Sequence, residues 1–316
     1  IRRPPRSTRK ESSAASDVYK RQINDLPETV IDSFTGVFCD DTLIAKEISE
    51  KNHSLQLQND LNSIHEWTKL WGMNFNTEKC VFMTVTNKKQ PIQNSYHLGN
   101  EALTKKEIIK YLGVYIDSKL YFNHHIQDKC KKASTVLNML KRNLYFAPKS
   151  VKNKAYVACV LPILEYGSTS WCPTSAKQTN SIEMIHHNAA RFVSSVYHKK
   201  GNHEIISISK ILKDLKWDSL EVRRNQARMA MAYKILNGHV ILESEMLPKM
   251  HYKRPTRICN QAKVGHKNQL IEPPSRLDVV ENTFFFATPK LWNNCVSPLQ
   301  ANAPSVDELK EHFKRK

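Results

Sequence analysis

The hydrophobic period of this chain changes near residue 119, and that change limits the fold more than any other feature. Before it, short apolar runs alternate around one long helical stretch. After it, apolar residues recur at steps of three and four. A period of two builds strands and a period near 3.6 builds helices. The chain therefore divides into an α+β part and a mainly helical part.

In the first part, Ile23-Asn24-Asp25-Leu26-Pro27 reads as a helix end running into a loop closed by Pro27. Val37–Cys39 and Thr42–Ala45 are two β-prone pieces around Asp40 and Asp41, a pattern that suits a hairpin with the carboxylates at its turn. Residues 49–72 follow helical spacing through Leu57, Leu61, Ile64, Thr68 and Trp71, with Trp67 beside them, and Gly72 supplies the stop. Lys79–Thr86 reads as a strand ending in the polar turn Asn87–Gln90. Ile108–Asp117 alternates, with Leu112, Val114 and Ile116 on one face and Tyr111, Gly113 and Tyr115 on the other.

In the second part, Ile126, Cys130, Ala133, Leu137 and Leu140 form an apolar stripe, with Lys129, Lys131, Lys132, Lys141 and Arg142 assigned to the solvent side. A second helix is expected from Pro148 to the Leu161-Pro162 break. A third spans Ile182–Tyr197 with Ser181 as N-cap, and a fourth spans Leu220–Leu236 closed by Gly238. The last 70 or so residues are Pro-rich and mixed, with aromatics at Phe284-Phe285-Phe286 and Trp292.

The net charge of the 316 residues is +18 and the pI about 9.5. Such an excess favours phosphate-rich polymers or an anionic membrane surface as partners. The longest nearly uncharged apolar run, Tyr156–Leu164, contains Pro162 and is far too short to cross a bilayer. The seven cysteines lack zinc-ligand spacing; Cys159, Cys172, His186 and His187 come nearest to a cluster. Free thiols in a reducing compartment, and so an intracellular location in cytoplasm or nucleus, are the expectation.

Residues 1–22 have no apolar period and a local charge of +5. They read as a disordered basic tail, resembling a non-native adapter-like extension, and are set aside. The remaining 41 basic and 28 acidic residues still leave +13, so the partner argument does not rest on the tail.

Two adjacent carboxylates disfavour each other's ionisation, and a divalent cation relieves that. Two such ions can clamp the attacking and leaving oxygens in phosphoryl transfer. Successive strand residues point to opposite faces, so a two-ion site needs a further carboxylate. The only aspartates close upstream are Asp25 and Asp32, both in loop-like sequence, so the metal site looks incomplete.

The order of these segments carries a resemblance. Phe38-Cys39-Asp40-Asp41 is similar to the F-x-D-D catalytic turn, motif C, of non-LTR retrotransposon reverse transcriptases. Ile23–Pro27 looks like the segment preceding it in the jockey-like group. Trp67–Cys80 resembles motif D, and Tyr111-Leu112-Gly113-Val114 resembles the motif E primer-grip hairpin. Arg142-Asn143, Leu161–Tyr166, Trp171–Pro173, Ala190–Val193 and Leu291–Asn293 resemble the thumb and post-thumb region.

The resemblance implies an RNA-directed DNA polymerase with Asp40 as metal ligand and Asp41 as its neighbour. It implies Lys79 at the leaving pyrophosphate, where charge builds. Tyr111, Leu112, Gly113 and Val114 would set the primer end, and Lys129, Lys131, Lys132, Lys141 and Arg142 would track the nucleic-acid backbone. Mg²⁺ or Mn²⁺, an RNA template, a DNA primer and dNTP are the implied cofactors and partners. The architecture would be the C-terminal half of a palm at 23–118, a thumb-like bundle at 119–245 and a mixed region at 246–316. Fingers and the motif A aspartate are not found in this sequence, so the expectation is a chain inactive alone, with one palm-sheet edge exposed. A non-catalytic nucleic-acid-binding module is the alternative, and a metal-dependent nuclease fits the dipeptide but not the motif order.

Overall fold

The computed structural model describes residues 25–196, 207–242, 270–275, 278–295 and 308. The tail at 1–22, Ile23, Asn24, Tyr197 and most of 246–316 lie outside the described residues. The chain divides into two compact units, one ending at Lys119 and the other beginning at Leu120. Strands fall in the first and helices dominate the second, which is the expected α+β composition.

The first unit opens with a 3₁₀ turn, Leu26–Thr29, followed by strands β1 (Phe34–Phe38) and β2 (Asp41–Ala45). They pair antiparallel, Phe34 opposite Ala45 through to Phe38 opposite Asp41. Helix α1 (Lys51–Leu70) packs behind them. Leu26, Ile64 and Trp67 make the core, with Val30, Ile44, Met73 and Phe75 against it. Trp67 rather than Trp71 continues the apolar stripe, for α1 ends at Leu70 and Trp71, 47% exposed, is already its cap. Gly72 closes the helix at φ +63: its N–H reaches Lys69 O at 3.2 Å, and the Met73 N–H reaches Thr68 O at 2.9 Å. This is a Schellman end, and glycine takes its left-handed position without a Cβ penalty.

The remaining strands are short: β3 (Val81–Phe82), β4 (His97–Leu98), β5 (Glu101–Ala102), β6 (Thr104–Lys105), β7 (Ile108–Tyr111) and β8 (Val114–Asp117). The expected single antiparallel sheet is instead four two-stranded ladders among the described residues, and β3 pairs with β6 in parallel. The Lys79–Thr86 strand contracts to β3. Asn76 starts a turn whose carbonyl accepts from the N–H groups of Lys79 and Cys80, which delays strand entry. Beyond β3 only isolated bonds persist, Lys106 N–H to Phe82 O and Thr86 N–H to Ser118 O.

The second unit is a helical bundle: α2 (Asn123–Asn143), α3 (Lys149–Cys159), α4 (Leu161–Glu165), α5 (Ala176–Val193), α6 (Ile208–Leu215), α7 (Leu220–Leu236), α8 (Asp278–Glu281) and α9 (Phe284–Cys295). The third helix begins six residues before the expected Ile182. Ser175 and Gln178 form a reciprocal capping box, which satisfies two first-turn donors. Ser181 is therefore interior, and its hydroxyl donates to Lys177 O at 2.8 Å. Gln178 also donates to Tyr121 O (3.0 Å) and Asn123 Oδ1 (2.6 Å), tying the start of α5 to the start of α2.

The segments that resembled the thumb region hold this bundle together. Glu165 takes two bonds from the Arg223 guanidinium. Buried Trp171 donates to Tyr166 O at 2.9 Å and meets the His125 ring edge-on. Asn293 exchanges both amide bonds with the Leu270 backbone, at 3.0 and 2.9 Å, beside the cluster Met229, Tyr233, Leu270 and Trp292. Gly238 closes α7 as expected, with His239 N–H on Lys234 O at 2.8 Å.

Candidate functional site

Cys39 and Asp40 are the two turn residues between β1 and β2, and Asp41 is the first residue of β2. The predicted turn is thus shifted by one: Asp40 alone lies at the tip. Cys39 takes φ +57, and it is the only one of the two in the positive region. Positive φ at the first turn position is the mark of the type II′ hairpin, whose twist suits the flanking strands. Glycine is usual there; a cysteine costs about 1–2 kcal/mol.

Both aspartates are exposed. Antiparallel partners share a face, so Phe34, Gly36, Phe38, Asp41, Leu43 and Ala45 line one side of the hairpin. A Cβ added to Gly36 would lie 3.9 Å from the Tyr111 hydroxyl. Burial raises the Tyr111 pKa, and the Asp41 carboxylate raises it further. The phenol of β7 thus stands over the face that carries Asp41.

The β7–β8 hairpin turns at Leu112 (φ +44) and Gly113 (φ +80), the type I′ pair. That turn corrects the alternation read through Ile108–Asp117. Tyr111 lies opposite Val114, and Ile109 opposite Ile116, so all four share a face. The physical reason is the two-residue turn, which reverses the chain and resets the pleat. Lys110 instead faces Tyr115, its Nζ 5.5 Å from the ring centre.

Lys79 is exposed in the 76–80 turn, not on a strand. The basic residues of α2 do not make one solvent face. Lys131, Lys132 and Arg142 are exposed, whereas Lys129 and Lys141 are half-buried beside the apolar stripe. Lys129 lies over the Tyr166 ring at 5.2 Å, Lys132 pairs with Asp128 at 2.8 Å, and burial lowers the Lys141 pKa.

One carboxylate escaped sequence reasoning. Asp60 on α1 is 3% exposed. Its Oδ1 accepts from the N–H groups of Ile31 (3.0 Å) and Asp32 (3.4 Å), and its Oδ2 from the Ser33 hydroxyl at 2.6 Å. It anchors the loop entering β1 and is fully occupied in doing so. Its position between Leu57 and Ile64, on the buried stripe, was the available signal.

Asp32 is exposed, and its carbonyl accepts from Lys46 Nζ at 2.5 Å. Asp25 has one buried carboxylate oxygen with no hydrogen-bond partner among the described residues. Among those residues no three His, Cys, Asp or Glu side chains gather where they could hold a metal ion. Among the described residues, Asp40 and Asp41 have no third such side chain beside them with which to enclose a cation.

The His186 neighbourhood is occupied by packing. The carbonyl of Asp218 can only accept, so His186 Nε2 donates to it at 3.1 Å, and Nδ1 accepts the Tyr156 hydroxyl at 2.6 Å. Trp217 stacks on both rings. Burial pushes the His186 pKa down to about 4 and the Tyr156 pKa well up. Cys159 is exposed and Cys172 half-buried.

Residues 12–116 match the family described as reverse transcriptase (RNA-dependent DNA polymerase). The match begins within the stretch set aside as a tail and ends at the β7–β8 hairpin. The chain is 24% identical over 206 residues to the "Probable RNA-directed DNA polymerase from transposon BS" of Drosophila melanogaster, covering 64% of this chain and 22% of that protein. It is 24% identical over 169 residues to the "RNA-directed DNA polymerase from mobile element jockey" of the same fly, covering 52% and 18%. The jockey polymerase of Drosophila funebris is 27% identical over 141 residues, covering 44% and 15%. The chain thus spans about a fifth of the length of these relatives. No solved structure matches, and no helix of the described residues is long and apolar enough to cross a membrane.

Proposed function

Residues 12–116 belong to the reverse transcriptases and the chain is related to the polymerases of non-LTR mobile elements, and from that premise we propose that it carries part of an RNA-directed DNA polymerase site. The observation that carries the reading is the β1–β2 hairpin. It presents Asp40 at an open tip and Asp41 beside Tyr111, inside the matched segment. In this reading residues 23–118 are the C-terminal half of a palm and residues 119–245 a thumb-like bundle.

An RNA template, a DNA primer and dNTP are the proposed partners, within cytoplasm or nucleus. Asp40 and Asp41 would bind Mg²⁺ or Mn²⁺ only together with a carboxylate beyond the described set. Tyr111, its pKa raised by burial and by Asp41, stays a phenol at neutral pH. It offers a neutral donor beside the carboxylates. Lys79, exposed in its turn, is free to reach an anionic leaving group.

A second reading is favoured by the incomplete cation shell: a nucleic-acid-binding module without chemistry. Purified chain, primed RNA and dNTP separate the possibilities. The polymerase reading predicts salt-sensitive, Mg²⁺-assisted binding of primed RNA without incorporation. Robust incorporation abolished by Asp40→Ala would overturn the incompleteness. Binding independent of Mg²⁺ and unchanged by Asp40→Ala would favour the module, and no binding would overturn both.

A further inference from the structure

The connection between α2 and α3 carries an aromatic pair whose outer ring is open to solvent. Phe146 is 96% exposed, the most exposed large apolar side chain among the described residues. Tyr145, 53% exposed, meets it edge-on at 4.9 Å between ring centres. The two residues form the apex of a turn closed by Ala147 N–H on Leu144 O at 3.1 Å, and Pro148 follows with its φ held at −61°. The rings are therefore presented on a fixed backbone between two helices.

A single exposed apolar residue needs no explanation. Its electrostatic setting does. From Lys129 to Leu164 the sequence has eight basic residues and no acidic one. Arg142 and Lys149 are exposed on either side of the turn. A rigid aromatic tip flanked by unopposed cations matches a polyanion that carries planar faces. Phosphate charge would meet the cations, and a base would meet the ring. Bases inside a duplex are covered by their neighbours, so the ring selects an unstacked base.

Resting on the polymerase reading and going beyond it, we propose that Phe146, supported by Tyr145, is a stacking platform for an unpaired base of single-stranded nucleic acid. Arg142 and Lys149 hold the adjoining phosphates. The tip gives the second unit a preference for strand over duplex that basic residues alone would not confer.

The test measures binding of the full chain to a fluorescein-labelled uridine oligomer and to a blunt RNA–DNA duplex. Phe146→Ala is expected to weaken single-strand binding by at least about fivefold with the salt dependence unchanged. Phe146→Trp is expected to retain it, and duplex affinity is expected to be the same in all three. Lys149→Ala is expected to reduce the salt dependence. Unchanged single-strand affinity in Phe146→Ala, with Lys149→Ala still weakening binding, would overturn the platform and leave the polymerase reading standing. No salt-dependent binding by the unaltered chain would overturn both. Loss of self-association in Phe146→Ala with unchanged RNA affinity would show a protein contact instead and overturn the platform.

Discussion

Acidification tests the packing of the helical unit through a single side chain. His186 is 1% exposed, and burial is the main reason its pKa falls from 6.5 to about 4. The Asp218 carbonyl opposes that shift, while His187 and Arg223 add to it. A depressed folded pKa means that the unfolded chain takes up the proton first. The stability is therefore present above pH 6.5 and is lost as pH falls towards 4. With those two pKa values, the loss between pH 7.5 and 5.0 is about 2 kcal/mol from this group. His125, also buried and pushed down to about 4, acts in the same direction. Urea unfolding followed by tryptophan fluorescence at the two pH values measures the change. The informative variant is His186→Gln, whose amide does not titrate. Its own stability falls because Tyr156 and the Asp218 carbonyl lose a fitted partner. Its pH dependence should nonetheless be smaller than that of the unaltered chain by about 2 kcal/mol. Equal pH dependence in the two proteins would refute the reasoning.

Asp60→Ala leaves the Ile31 and Asp32 amides and the Ser33 hydroxyl without their acceptor, and should cost about 2–4 kcal/mol in urea unfolding. Asp40→Asn and Asp41→Asn, at exposed positions, should stay within about 0.5 kcal/mol of the parent in the same assay. Cys39→Gly relieves the positive φ of the hairpin turn and should raise stability by about 1 kcal/mol. Lys216→Gly should do the same at the end of α6, where Lys216 holds φ +56 and Trp217 N–H bonds Leu212 O at 2.9 Å.

The parts of the fold that were legible in the sequence are those where local chemistry and packing agree. Gly72 and Gly238 announce helix ends because the Schellman position favours glycine. The same motif at Lys216 and at Ser195 (φ +54) is invisible, because the residue there pays the conformational cost and tertiary contacts hold it. At Ser195 the contact is visible: Lys152, 2% exposed, donates to its hydroxyl at 2.9 Å. Ser181 was a reasonable N-cap by type, but Ser175 had Gln178 three residues on, and the reciprocal box decides the start. The hairpin at Asp40 and Asp41 was legible from two β-prone pieces around polar residues. Which carboxylate sits at the tip was not, because a one-residue shift in register leaves the sequence pattern almost unchanged. The proximity of Tyr111 to Asp41 joins residues 70 positions apart, and no local pattern reports it. The basic residues of α2 were read as one face from composition. Their spacing puts Lys129 and Lys141 beside the apolar stripe, where long stems can lie along the core.

The claim that the β1–β2 hairpin is a polymerase corner is tested most directly by transplanting it. The measurement is RNA-templated dNTP incorporation by the jockey polymerase of Drosophila melanogaster after its matched segment is replaced with that of this chain. The account predicts incorporation that is lost on Asp40→Asn, with the fold intact by circular dichroism. A transplanted enzyme that incorporates nucleotide equally well with Asp40→Asn would contradict it.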